Sequence, residues 1–247
     1  MKQTFFDHLD GGWGDVIADT YKDASNIIIL KPFTGNNNKK YIGYHKFYKN
    51  YLDNKNPLKH LEIVEGTDSI KNSAFAGCSD IESILFPDGL KLIDFAAFSE
   101  CEKLKIITFN GSVDNIGPIA FEKCENLKTV NFSNKIKVIE DSAFANVGLE
   151  GDLILPKGLK RLGSFAFEGC KNLTGKLELP EKLNRINRYT FRNCSFTGDL
   201  VIPEKLKYIG TGAFAGCNFD KIYVKKDNHL LFKKYWDDGC NAEIVYY

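Results

Sequence analysis

Short apolar–variable–apolar triplets recur along most of the chain. They stand at Ile84 to Phe86, Ile107 to Phe109, Val130 to Phe132, Leu153 to Leu155, Leu177 to Leu179, Leu200 to Ile202, Ile222 to Val224 and Val245 to Tyr247, after an opening Leu58-x-x-Leu61-x-Ile63. The first and third residues are apolar and the middle one varies, the period-2 pattern of a strand buried on one face. A proline often follows and ends the strand by removing an amide donor (Pro87, Pro156, Pro180, Pro203). Next comes an apolar pair three residues apart: Leu90/Ile93, Val113/Ile116, Ile136/Ile139, Leu159/Leu162, Leu183/Ile186 and Leu206/Ile209. Each round closes on Ala-Phe-x-x-Cys, stated most cleanly at Ala74-Phe75-Ala76-Gly77-Cys78 and Ala213-Phe214-Ala215-Gly216-Cys217. It weakens to Ala143-Phe144/Val147 and Thr190-Phe191/Cys194.

The phenylalanines of this phrase are 23, 23, 23, 23, 24 and 23 residues apart. A fixed period of that length predicts a solenoid, in which each repeat buries its apolar face only against its neighbours. The Ala-Phe phrase itself reads as one short helical turn. Ser73, Asp141 or Ser142, and Ser164 stand where an N-cap would, and Gly77, Gly169 and Gly216 stand where a left-handed residue ends such a turn. The predicted division is an N-terminal non-repeat cap of mixed helix and strand over 1–57, a solenoid of about seven 23-residue coils over 58–224, and a C-terminal cap continuing the repeat over 225–247. Within the first part the pattern predicts a helix from Asp15 to about Asp23, a strand at Ile27 to Leu30, and an amphipathic helix carrying Tyr41, Tyr44, Phe47, Tyr48 and Tyr51. A short helix is expected from Asn228 to Tyr235.

With Leu-x-x-Ile-x-Phe-Pro, Leu-x-x-Ile and Ala-Phe-x-x-Cys in hand, residues 58–247 resemble the BspA-like class of leucine-rich repeats, and the stretch with Tyr235, Trp236 and Ile244 is similar to that family's closing segment. The resemblance implies a right-handed coil of short parallel strands with turns or small helices opposite. It also implies a binding scaffold, since members are mostly surface or secreted proteins of bacteria and some protists, implicated in adhesion and host-protein binding. The family has no shared catalytic motif.

Composition adds exclusions. Net charge is +1 with 26% charged residues, so no global field points to nucleic acid. The longest apolar run, Ile27 to Leu30, is strand length, and no membrane insertion is expected. The N-terminus lacks a signal-peptide pattern, because its short apolar pair runs into Asp7 and Asp10. As written the chain reads as cytoplasmic, against the surface location that the resemblance implies. Six of the seven cysteines share one repeat position, the seventh, Cys240, keeps the 23-residue step, and no Cys-x-x-Cys occurs. Val147 in that column can neither ligate nor oxidise, which favours small buried packing groups over metal or redox chemistry. His8, His45, His60 and His229 are scattered, so no catalytic set, metal site or cofactor is expected.

The middle residue of each triplet points away from the core, and parallel stacking lines these residues up. The column reads Glu62, Leu85, Thr108, Asn131, Ile154, Glu178, Val201, Tyr223 and Tyr246. Its apolar and aromatic members fit a protein-contact surface, although strand propensity alone also favours such residues. A second row, between the members of the apolar pairs, holds Lys91, Lys137, Lys160/Arg161, Arg185 and Lys207. It is either a solvated ladder or a stripe for an acidic partner. The leading expectation is a non-enzymatic scaffold binding a protein on its strand face. The alternative is a carbohydrate- or polyanion-binding module using the basic stripe.

Overall fold

The computed structural model describes residues 59–109, 111–226 and 238–247 in full, and the backbone of five earlier strands within residues 3–42. It is a repeat solenoid. Among the described residues, coils from Leu61 to Ile209 contribute one strand to each of two walls, and most neighbouring coils pair in parallel. The apolar triplets build the first wall, in strands such as Ser83–Leu85, Ile106–Thr108 and Thr129–Asn131, with Ile107 opposite Ile84 and Val130. The apolar pairs, read from the sequence only by their spacing, build a second wall. Strands of two residues, with Lys40–Ile42 of three, form one unbroken nine-stranded sheet there from Phe33–Thr34 to Tyr208–Ile209.

The core lies between the walls and the turn. Phe75, Phe98, Phe121, Phe144, Phe167, Phe191 and Phe214 are all fully buried and stack face to face at 5.0 to 5.8 Å. A second file of rings meets them edge-on, as Phe109 meets Phe121 at 6.3 Å. Each buried ring contributes about 1.5–3 kcal/mol through burial. The cysteine column is explained by the same geometry. The thiols of Cys101, Cys124, Cys170, Cys194 and Cys217 each donate to the carbonyl of a phenylalanine in the preceding coil, at 3.1 to 3.3 Å. A small side chain with one donor fits there, and alanine would leave that donor out.

The Ala-Phe segment is not helical. Its amides alternate: Ile119, Phe121 and Lys123 donate to Asp141, Ala143 and Ala145 of the next coil, whereas Ala120, Glu122 and Cys124 bond three residues back. A helix would direct all of these amides along its own axis, so the turn gives up helicity to join the stack. Two residues per coil are left-handed as a result, here Ile119 at φ 60° and Lys123 at φ 58°. Ser73 and Ser142 occupy the first of these positions, at φ 53° and 55°, and so cap no helix. Gly77, Gly169 and Gly216 occupy the second, at φ 70° to 77°, as their expected left-handedness requires.

The expected helix at Asp15 to Asp23 is a strand, Ala18–Lys22, held antiparallel between Gln3–Phe5 and Ile27–Leu30. Pairing to a ready edge overrides a weak helical pattern, and Thr20 and Tyr21 favour the pleated state. Ile27–Leu30 is a strand as read, and it pairs in parallel with His60–Ile63. Tyr41 lies on the strand Lys40–Ile42, which pairs with Ser69–Ile70. The rest of its predicted helix, and the one at Asn228 to Tyr235, fall outside the described residues.

Candidate functional site

The column of triplet mid-positions faces outward. Ile154 is 80% exposed, Val201 55% and Leu85 51%, Asn131 and Glu178 are exposed, and Glu62, Thr108 and Tyr223 are half-exposed. Glu62, Leu85, Thr108 and Asn131 stand side by side across paired strands, as do Ile154 with Glu178 and Val201 with Tyr223. The last member is displaced. Ile244 pairs with Ile222, so Val245 lies beside Tyr223, and Tyr246 pairs with Val224. The final step is 22 residues rather than 23, which moves the register by one. Tyr247 meets the Tyr223 ring edge-on at 6.5 Å.

The column is also interrupted. The first wall ends at Thr129–Asn131 and resumes at Leu153–Ile154 without pairing between them, and the ladder lapses again between Leu177–Glu178 and Thr197–Val201. At the first break lies a cleft of about 380 Å³, lined by Val130, Asn131 and Phe132 on one lip, Leu153, Ile154 and Leu155 on the other, with Leu149 and Leu173 also in its lining. Its two ends are tied. Lys128 pairs with Glu150 at 2.8 Å, and Lys157 N donates to Asn134 Oδ1 at 3.0 Å. Val130 and Phe132 are therefore half-buried where their counterparts in neighbouring coils are buried.

The cause is a change of repeat subtype. In the earlier coils an apolar residue sits three places before the strand core, as in Leu104/Ile107 and Leu127/Val130. From Leu149 on it sits four places before, with a glycine in the run: Leu149-Glu150-Gly151-Asp152-Leu153, then Gly175 and Gly198 in the next two coils. Gly151 is left-handed, at φ 73°. The longer run-in displaces the strand at the first junction, and the ladder fails there. That inserted residue was the sequence signal for the cleft.

A BspA-type leucine-rich repeat region, in six copies, is matched over residues 40–174 and 151–241. The chain belongs to this family. Solved structures share the fold at low identity. A leucine-rich repeat protein from Bacteroides ovatus is 19% identical with TM-score 0.60, over 100% of this chain and 66% of its own length. The leucine-rich repeat protein TpLRR of T. pallidum is 22% identical with TM-score 0.57, over 81% of this chain and 86% of its own. The pneumococcal vaccine antigen PcpA is 21% identical with TM-score 0.53, over 91% and 73%. No curated protein matches the sequence.

In this BspA-type solenoid the basic stripe is shorter than its sequence suggested. Backbone bonds stack Asp68, Lys91, Asp114, Lys137, Lys160, Asn184 and Lys207 in one row, coil upon coil. Its first half alternates in sign, and Lys91 and Lys137 pair with Asp68 at 3.8 Å and Asp114 at 2.8 Å. Arg161 pairs with Glu140. The cysteines are set for packing. Burial pushes the Cys78 thiol up to about 12 and raises those of Cys101, Cys194 and Cys217 as well, so these thiols stay protonated. Among the described residues no three His, Cys, Asp or Glu side chains come together as a metal site, and no helix is long and apolar enough to cross a membrane. His60 Nδ1 lies 2.8 Å from Ser83 Oγ.

Proposed function

We propose that this protein is a non-enzymatic scaffold that binds a partner protein on its strand face, with an apolar side chain of the partner seated in the cleft between Val130 and Ile154. The observation that carries this reading is Ile154, 80% exposed on the lip of a cleft whose lining includes buried Leu149 and Leu173. Strand propensity explains a β-branched residue there, but not a cleft beside it with Leu149, Leu173 and Phe132 in its lining. Anchors that dominate protein interfaces are apolar groups in such pockets, ringed by polar contacts, and Asn131, Asp152 and Glu150 supply that rim. Leu85 and Val201 extend the contact to either side, with Tyr223 beyond. Adhesion or host contact is the setting that the family resemblance implies.

The test is affinity capture with the parent protein, followed by titration of the captured partner against Ile154→Asp. A charge on the cleft lip is expected to weaken binding by at least about tenfold, or 1.4 kcal/mol, with the melting temperature unchanged because the side chain is solvated. Binding of Ile154→Asp and Leu85→Asp at parental affinity would refute the face.

A further inference from the structure

Charge is divided along the solenoid. Residues 59–156 carry nine lysines against sixteen carboxylates, whereas residues 157–226 carry fourteen lysines and arginines against six. All four arginines of the chain, at 161, 185, 188 and 192, fall in two consecutive coils of the second stretch. Pairing follows the same division. Lysines 59, 91, 103, 105, 123, 128 and 137 are in ion pairs in the first stretch. Among the described residues of the second, ion pairs hold only Arg161, Arg192, Lys221 and Lys225.

Two of the cations outside these pairs are held in place without being neutralised. The Arg185 guanidinium lies 4.2 Å from the centroid of the Tyr208 ring, and its Nε donates to Asn187 Oδ1 at 2.7 Å. Arg188 lies 5.5 Å from the Phe165 ring, which stacks on Tyr189 at 5.4 Å. Aromatic faces hold a guanidinium by its charge and leave that charge available. Phe165 and Tyr189 are themselves left-handed, at φ 59° and 56°, where other coils place Ser73, Ala96, Ile119, Ser142 and Gly212, none of them aromatic. A bulky side chain in that conformation costs stability, and here it puts rings beneath cations. Lys160 and Lys207 share a row two coils apart, and Arg185 projects from the coil between them.

We propose that the second wall over residues 157–210 binds a linear anionic polysaccharide, whose carboxylate or sulfate groups are taken by Lys160, Arg185, Arg188 and Lys207. Spacing selects the ligand. Lys160, Arg185 and Lys207 follow one another at about one coil, ~4.8 Å, close to the step between rings of a linear polysaccharide, and Arg188 lies in the same coil as Arg185. An extended acidic peptide presents same-face side chains every ~6.7 Å and falls out of step. The guanidinium fork matches the paired oxygens of carboxylate and sulfate. This site lies on a different wall from the cleft and does not depend on it.

The experiment titrates size-fractionated heparin and polygalacturonate oligosaccharides against the protein, with poly-L-glutamate as a third probe. At least one glycan is expected to bind, with affinity falling as salt rises, and comparison of the two separates sulfate from carboxylate recognition. Arg185→Gln/Arg188→Gln/Lys207→Gln is expected to lose at least about tenfold. Lys123→Gln/Lys128→Gln/Lys137→Gln, an equal change in net charge, is expected to stay within about twofold. Melting curves establish that both triple variants are folded; should the first fail to fold, Arg188→Gln alone, at an exposed side chain, must still weaken glycan binding. The proposal is overturned if neither glycan binds at low salt, if the two triple variants lose affinity equally, or if poly-L-glutamate binds as tightly as the glycans.

Discussion

Phe121→Ala tests whether the ring file is the core. Phe121 is fully buried, stacks on Phe98 at 5.3 Å and Phe144 at 5.2 Å, and meets the edge of Phe109 at 6.3 Å. Truncating a buried phenylalanine costs about 3–5 kcal/mol once the cavity is included. Two stacked contacts, each worth ~0.5–1.5 kcal/mol beyond burial, place this position near the top of that range. A loss of about 5 kcal/mol divided by a urea m-value of ~2–3 kcal/mol/M lowers the midpoint by about 2 M. In a one-dimensional array the damage falls on both interfaces of one coil, so the transition is also expected to broaden as the halves uncouple. The assay is urea unfolding followed by far-UV circular dichroism. Ile154→Ala, at an 80% exposed side chain, serves as the control and should stay within ~0.5 kcal/mol. A midpoint for Phe121→Ala equal to that of Ile154→Ala would refute the stacked core.

Two further outcomes rest on the cysteine column. Val147→Cys places a thiol where the Phe121 carbonyl stands in the repeat, and is expected to gain about 0.5–1.5 kcal/mol in the same urea assay; a loss would show that the column is held by shape alone. The raised thiols of Cys78, Cys101, Cys194 and Cys217 also set a pH dependence. Above about pH 9 the unfolded chain releases these protons and the folded chain keeps them, so stability falls as pH rises, by up to ~1.4 kcal/mol per pH unit per thiol. Urea midpoints between about pH 8 and 10.5 should decline, and less steeply in Cys101→Val; a pH-independent midpoint, or equal slopes in both proteins, would overturn the assignment.

The period was legible because each coil meets the same neighbours and so repeats the same constraints. Ile84, Phe86, Ile107 and Phe109 were readable as buried from alternation alone. The turn was misread because Ser73 and Gly77 carry the same signals for a capped helix as for two left-handed corners, and the deciding bonds run to residues 22 positions away, such as Phe75 N to Ala97 O at 2.8 Å. The second wall was read only as apolar pairs because its strands are two residues long, too short for a period. The outward column followed from alternation. Its break at Asn131/Ile154 did not, since it depends on one inserted residue before Leu153 that leaves the 23-residue step intact. The free cations were hidden for a different reason. Lys137 and Lys160 look alike in sequence, and only the placement of Asp114 separates the paired one from the other.

What departs from the repeat is concentrated in one part of the chain. Val147 breaks the thiol column, the added residue before Leu153 accompanies the first break of the first wall, Phe165 and Tyr189 are aromatic at left-handed corners, and the only arginines follow within residues 161–192. The first two cost something the regular coils keep: a thiol–carbonyl bond and strand-ladder bonds. In a solenoid that cost stays local, because stability is close to a sum over neighbouring coils, and a stacked core on either side offsets it. A defect in one coil can therefore persist without endangering the array. Breaks in local rules concentrate where a protein must do more than fold, and here they open the cleft on one wall and set uncompensated cations on the other. The two walls share a core but no exposed side chains, so the partner proposed for the cleft and the glycan proposed for the basic wall would not compete.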